Sequence, residues 1–381
     1  MDNGNSWSSR NTGLTNIYVY SFAISGNYIF TGTYGGGVFL STDSGNNWKQ
    51  KNNGLINTYT QTIAISGSNL FAGTLKGVFL STNDGNSWVA VNDGLTSSWV
   101  CSIVISEENI FAGTYNGGVF LSTDNGDNWS EKNSGLTNKD VFSMAISENN
   151  ILAGTNTGVF LSTNDGNTWA KITKGSANTY ISSIVISGNN IFAGTGIGMF
   201  LSTDNGNSWT PQNTGLTNTS VKAISLIGNN IFIGTFSGGV FLSTDNGNNW
   251  SPKNTGLTNL NVRAIAINGD DIFAGTYGGG IFKAKISDFL TSVNESKNMD
   301  NFLQLYPNPA NESVTIKYSV PEHIPYNISI INSLGIELKN ENIYENDGIL
   351  KFNTSELPSG IYFGILKAGV YSETKQFVVL H

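Results

Sequence analysis

Seven tryptophans, Trp7, Trp48, Trp88, Trp129, Trp169, Trp209 and Trp250, recur at spacings of 41, 40, 41, 40, 40 and 41 residues, each after a glycine-containing turn. A period near forty marks a repeat architecture, in which one unit buries its apolar face only by stacking on the next. Read from Ile103, the unit runs an apolar strand, a turn at Glu107-Glu108-Asn109 and a strand from Ile110 to Thr114. A turn at Gly117-Gly118, a strand from Val119 to Thr123, a turn at Asp124-Asn125-Gly126 and a strand from Trp129 complete it. Four short strands per unit fit a propeller blade. Solenoids of paired helices are excluded, because no segment carries apolar residues at helical spacing.

The count of elements says how the ring closes. A strand ending in Gly-Thr occurs seven times, at Gly32-Thr33, Gly73-Thr74, Gly113-Thr114, Gly154-Thr155, Gly194-Thr195, Gly234-Thr235 and Gly275-Thr276. The turn before tryptophan also occurs seven times, but its first copy lies at the extreme N-terminus, and the last unit ends at Lys283 to Lys285 without one. The N-terminal strand therefore fits as the outer strand of blade seven, a closure that hides two sheet edges. The expectation is all-β: a seven-bladed β-propeller of four-stranded blades over residues 1–286, followed by a small immunoglobulin-like β-sandwich.

Composition narrows the function. Only 12% of residues are charged, 45 are glycine, and the net charge is -8. Two arginines, Arg10 and Arg263, leave no basic stripe for a phosphate backbone, so nucleic acid is not an expected partner. No apolar run approaches the roughly 18 residues of a membrane helix. Cys101 is the single cysteine and no histidine precedes His323, which excludes from the repeats a disulfide framework, a histidine triad and a His-ligated zinc. The glycine runs lack the strand-to-helix context of a phosphate loop. Neither metal nor cofactor is expected.

Ser41-Thr42-Asp43-Ser44-Gly45-Asn46-Asn47-Trp48 and Ser202-Thr203-Asp204-Asn205-Gly206-Asn207-Ser208-Trp209 resemble the Asp box of sialidase-like and related propellers. The resemblance implies a folding device far from the active face, with the aspartate accepting backbone N–H groups inside the turn. Two copies carry Asn83 and Asn164 instead, with Asp84 and Asp165 displaced by one place. Sialidase chemistry needs an arginine cluster, which two arginines do not make. A xyloglucanase-like site needs two opposed carboxylates. Asp140 is the only acid at the positions just before the inner strands.

Loops leading into the innermost strands and loops joining the second and third strands share one face, where family members usually bind. Tyr18, Tyr59, Trp99, Asp140, Tyr180, Ser220 and Asn261 stand just before the inner strands, and Tyr20, Gln61, Cys101, Phe142, Ser182, Lys222 and Arg263 two residues on. Tyr34, Leu75, Tyr115, Asn156, Gly196, Phe236 and Tyr277 follow the Gly-Thr pairs. Aromatic side chains at such a rim stack on sugars or clasp a peptide. The candidate ligand-binding residues are Tyr18, Tyr34, Tyr59, Trp99, Tyr115, Tyr180, Phe236 and Tyr277; the competing reading is that these rings only cover the blade tops. No catalytic residue is assigned.

After Lys285 the repeat stops, and residues 287–301 read as a polar linker. Tyr306-Pro307-Asn308-Pro309, Ser359-Gly360-Ile361-Tyr362 and the Lys375-Gln376-Phe377-Val378-Val379 ending lie among about seven short strands, the pattern of a β-sandwich. Residues 302–381 resemble the type A C-terminal sorting domain of the type IX secretion system of Bacteroidota; an immunoglobulin-like adhesion module is the alternative. The resemblance implies export to the outer cell surface or medium, with the secretion machinery as a partner of residues 302–381. Such cargo first needs a signal peptide. Met1-Asp2-Asn3-Gly4 shows none and begins inside a copy of the tryptophan turn, as a fragment or a misplaced start would.

The expected function is a secreted or surface-displayed, non-enzymatic propeller binding a polysaccharide or a surface protein through its aromatic rim. One alternative is a glycoside hydrolase of the xyloglucanase or sialidase-like class, with Asp93 and Asp140 its first candidates. The other is an assembly factor resembling the photosystem II stability protein, which a basic patch on the propeller would favour.

Overall fold

The computed structural model describes residues 6–147, 150–290, 303–319, 326–332, 336–343, 347–368 and 371–381. Met1 to Gly4, residues 291–301 of the expected linker and the Leu334-Gly335 pair lie outside them. The chain divides into two compact units, Met1–Ser292 and Val293–His381.

The first unit is a seven-bladed propeller of four-stranded antiparallel sheets. Blade 1 comprises Val19–Ser25, Tyr28–Thr33, Gly37–Ser41 and Lys49–Gln50, from the axis outward, and the next five blades repeat the order. Blade 7 is built from Val262–Asn268, Asp271–Thr276 and Gly280–Lys285, with the N-terminal Ser8–Ser9 as its outer strand. The expected three-plus-one closure is thus observed. Each inner strand packs against the next, and the last against the first.

The repeated motifs join neighbouring blades. In blade 3, Gly113 faces Val141 at the start of the next inner strand, and a Cβ on Gly113 would lie 2.6 Å from Val141 Cγ1. The glycine is a notch that receives the next blade. The threonine after it is fully buried, and its hydroxyl closes the following turn: Thr33 Oγ1 donates to the Gly37 carbonyl at 2.9 Å, and the other six threonines repeat the bond. Each of the seven repeat tryptophans donates its indole N–H to a backbone carbonyl just beyond the outer strand of the preceding blade, at 2.6–3.3 Å. Apolar clusters accordingly lie between blades. Phe111, Val119 and Leu121 of blade 3 share one with Val141, Ile151 and Phe160 of blade 4.

The turn before each tryptophan is locked by its own side chains. Ser41 Oγ donates to Asp43 Oδ1 at 2.8 Å and accepts the Gly45 N–H at 2.9 Å, while Asp43 Oδ1 accepts the Asn47 N–H at 2.9 Å. Asn83 and Asn164 serve the same acceptor role, but their amides donate onward to Ser87 and Thr168 hydroxyls. The displaced Asp84 and Asp165 occupy the left-handed position of the turn, at φ of 55° and 56°. Hydrogen bonds from the Asn47 side chain, the Asn47 N–H and Ser41 hold the Asp43 carboxyl down to about 2 from its ordinary 3.8. A folded-state value below the unfolded one adds stability above the unfolded value, and that stability is lost as pH falls through the folded one. Thermal stability should therefore drop between about pH 4 and pH 2. The double change Asp43→Asn with Asn47→Ser, which copies the blade 2 pairing, should flatten that drop in melting curves across this range. An unchanged acid limb would refute the account.

Residues Ile286–Leu290 form a short helix that runs from the last propeller residue into the span expected as linker. Phe289 is buried there, its ring 5.4 Å from Trp7 and 6.2 Å from Phe232. This capping turn had no sequence signal, because one buried aromatic in a polar stretch has no period.

The second unit has two antiparallel sheets among the described residues. Leu303–Tyr306, Ser313–Ser319 and Asp347–Asn353 form one; Glu337–Ile343, Tyr326–Asn332, Gly360–Ala368 and Tyr371–Val379 form the other. Val314, Ile316, Ile328, Ile330, Leu366 and Phe377 are central to the core. The motifs at residues 306–309, 359–362 and 375–379 meet: Asn308 Oδ1 accepts the Val378 N–H at 2.9 Å, and Tyr362 pairs with Phe377, their rings stacked at 5.7 Å.

Candidate functional site

The face of interest is assembled by backbone bonds between the two kinds of loop. The residue after Gly-Thr donates its N–H to the carbonyl of the residue before the inner strand, as in Tyr34 to Tyr18, Tyr115 to Trp99 and Tyr277 to Asn261, at 2.8–2.9 Å. An asparagine two places earlier accepts the rim residue's own N–H, as Asn16 does for Tyr18 and Asn57 for Tyr59. These Asx turns fix where each rim side chain starts.

A cavity of about 490 Å3 opens at the axial mouth on this face. Tyr34, Trp99, Tyr180 and Tyr277 line it. The other four candidates are not in its wall but stand behind it. Tyr18 meets Tyr277 at 4.7 Å, Tyr59 meets Tyr34 at 4.7 Å and Tyr115 meets Trp99 at 4.8 Å, while the guanidinium of Arg263 lies 5.4 Å from the Phe236 ring. Tyr18, Tyr59, Trp99, Phe236 and Tyr277 are exposed; Tyr34, Tyr115 and Tyr180 are half-buried.

The floor of the cavity comes from the second row, Tyr20, Gln61, Cys101, Phe142, Ser182, Lys222 and Arg263. Each of these residues is an unpaired extra residue in its inner strand, for the pairing jumps from Val19 to Ser21 in blade 1 and equivalently in the other six. Seven β-bulges thus re-aim seven side chains into the mouth of the ring. The sequence places this row by alignment and singles out none of it as a site. Its only signal was the pair of cations, Lys222 and Arg263, in an otherwise uncharged column.

Arg263 is held among aromatic rings, its Cζ 5.9 Å from the Tyr20 centroid and 5.4 Å from that of Tyr277, while Nε donates to Asn261 Oδ1 at 3.0 Å. Lys222 Nζ lies 5.4 Å from the Tyr180 ring, which in turn meets Phe142 at 4.8 Å. Burial, and after it the nearby Arg263 charge, pushes the Lys222 ammonium below its ordinary value. Burial also raises the Tyr20 and Tyr180 phenols and drives the Cys101 thiol up to about 12. Cys101 is therefore a thiol at neutral pH, not a nucleophilic thiolate.

No carboxylate of the described residues lines the cavity. Asp140, at the rim, accepts the Asn116 N–H at 3.1 Å through Oδ1 and the Asn156 amide at 2.7 Å through Oδ2, which pins one loop to two neighbours. Asp93 lies in a more peripheral turn, where its carbonyl accepts the Trp129 N–H at 2.8 Å. Among the described residues no cluster of histidine, cysteine and acids is arranged to hold a metal ion.

No curated protein matches the chain. Among solved structures it resembles YCF48 bound to D1 peptide, with 14% identity and a TM-score of 0.62 over 75% of this chain and 98% of that one. YCF48 from Cyanidioschyzon merolae shares 15% identity at a TM-score of 0.58, covering 74% of this chain and 99% of that one. The GH74 xyloglucanase from Xanthomonas campestris shares 13% at 0.60; the match covers 82% of this chain and 59% of the enzyme's chain. At these identities the likeness is one of fold. Residues 304–380 match the secretion system C-terminal sorting domain family. The chain is thus a β-propeller carrying a type IX sorting domain, which marks it for export to the cell surface or medium.

Proposed function

We propose that the exported propeller is a non-enzymatic recognition module that binds a glycan or a protein through its aromatic face. One observation carries this reading. Of the twelve large apolar side chains exposed among the described propeller residues, nine lie in the loops of the cavity face: Ile17, Tyr18, Ile56, Tyr59, Trp99, Ile197, Phe236, Leu260 and Tyr277. Apolar side chains gathered on one face around a polar-floored cavity are the mark of an interaction surface. Glycoside hydrolysis is disfavoured, since it needs two carboxylates across the scissile bond and the cavity wall holds none. A role as a protein assembly factor is the second reading, because YCF48 of similar fold is described with a bound peptide.

The test is binding of the full chain to an array of bacterial, plant and host polysaccharides, scored together with product release. Trp99→Ala and Tyr180→Ala should weaken binding by about tenfold or more, as loss of aromatic anchors does, while shifting the melting temperature little. Unfolding of both variants would make the rings core rather than site, and release of sugar would overturn the non-enzymatic reading.

A further inference from the structure

We propose that the axial cavity is a receptor for a carboxylate-bearing sugar unit, with Arg263 and Lys222 taking the carboxylate and the aromatic walls stacking on the sugar faces. The proposal deepens the recognition reading and rests on it. Its first support is an electrostatic imbalance. Two cations share one half-enclosed cavity, close enough for one to disfavour the charge on the other, and no carboxylate of the described residues pairs with either. Like charges held together in a partly desolvated site are costly, and an anion between them relieves that cost. The same sign extends outward. Lys76 and Lys139 are exposed in the surrounding loops, where Asp140 is occupied in bonding to Asn116 and Asn156 and Asp93 lies in a more peripheral turn. Acids instead gather at the far end of the blades, in the tryptophan turns and the turns between first and second strands, as with Asp43, Glu107, Asp124 and Asp270.

The second support is preorganisation. Arg263 is fixed by its Nε bond to Asn261 and by three rings around it, while its Nη groups have no hydrogen-bond partner among the described residues. A planar fork held in this way suits the bidentate geometry of a carboxylate. The third support is the lining. Tyr34, Trp99, Tyr180 and Tyr277 offer apolar faces, and Gln61, Thr62 and Ser182 supply amide and hydroxyl groups for sugar hydroxyls. Ser21 Oγ, also in the wall, is buried without a hydrogen-bond partner. A phosphate site would instead want a cradle of backbone N–H groups. The cavity volume is within the range of small-ligand sites.

The experiment titrates the full chain with three uronate polymers, polygalacturonate, alginate and hyaluronan, at low and high salt. Fully methyl-esterified polygalacturonate serves as the neutral match, and poly-L-glutamate as a carboxylate without a sugar. At least one uronate polymer should bind, more weakly as salt rises, and esterification should weaken binding about tenfold or more. Arg263→Gln and Lys222→Met should each produce a similar loss on the acidic polymer and little change on the ester. Because the ester is a change in the ligand, it tests the proposal even if a variant folds poorly. Equal binding of acid and ester would overturn the carboxylate assignment and leave glycan recognition standing. Binding of poly-L-glutamate alone would overturn the sugar assignment in favour of an acidic protein. Failure of all three uronates to bind overturns the proposal, whatever neutral glycans do.

Discussion

Replacing Trp129 by alanine should lower the free energy of unfolding by about 3–5 kcal/mol, the range of large aromatic truncations in cores. The ring is 6% exposed and packs with Phe71, Val78 and Leu80 of blade 2 and with Val100, Ile110 and Phe120 of blade 3. Its loss opens a cavity at a blade-to-blade seam. It also orphans the Val91 carbonyl, which accepts the indole N–H at 2.9 Å in a buried setting. Denaturant unfolding measures the effect. A loss below about 1 kcal/mol, no more than a single hydrogen bond contributes, would mean that the tryptophan does not hold the blades together. Export need not be affected, because the sorting domain is a separate compact unit.

The second large effect is expected from adding one methyl group. Gly113→Ala should destabilise the propeller by about 1–3 kcal/mol, the usual cost of overpacking a well-filled core. The new Cβ would stand 2.6 Å from Val141 Cγ1 and 3.0 Å from Met144 Sδ, and the short side chain of Val141 cannot swing away. The cost arises from the neighbouring blade, not from the backbone, as Gly113 does not have a positive φ. Combining Gly113→Ala with Val141→Ala removes the clashing methyl, so the two losses should fail to add by about 0.5 kcal/mol or more. Simple additivity in denaturant melts would show that the notch does not receive Val141.

Trp129 and Gly113 recur at forty-residue spacing, so their importance to the repeat was visible in the pattern alone. Their partners were not. Trp129 meets Val91, and Gly113 meets Val141, only because adjacent blades stack, and nothing in a single repeat records the rotation between blades. The rim divides in the same way. Tyr34, Trp99, Tyr180 and Tyr277 line the cavity, whereas Tyr18, Tyr59 and Tyr115 stand behind them. The sequence shows both groups as equivalent aromatics at equivalent positions; the difference is one of side-chain direction.

The sequence by itself determined the blade number, the strand order, the use of Ser8–Ser9 to close the ring and the separate sandwich, because period, glycine turns and strand alternation are local properties repeated seven times. Only the tertiary structure decided the floor of the cavity. A strand read at period two leaves no room for an extra residue, yet a bulge in each inner strand turns Tyr20, Phe142, Lys222 and Arg263 toward the axis. Ring closure then brings Arg263 of blade 7 beside Tyr20 of blade 1, 243 residues apart in the chain. Local bonding sets the blades; the geometry of closure sets which side chains meet.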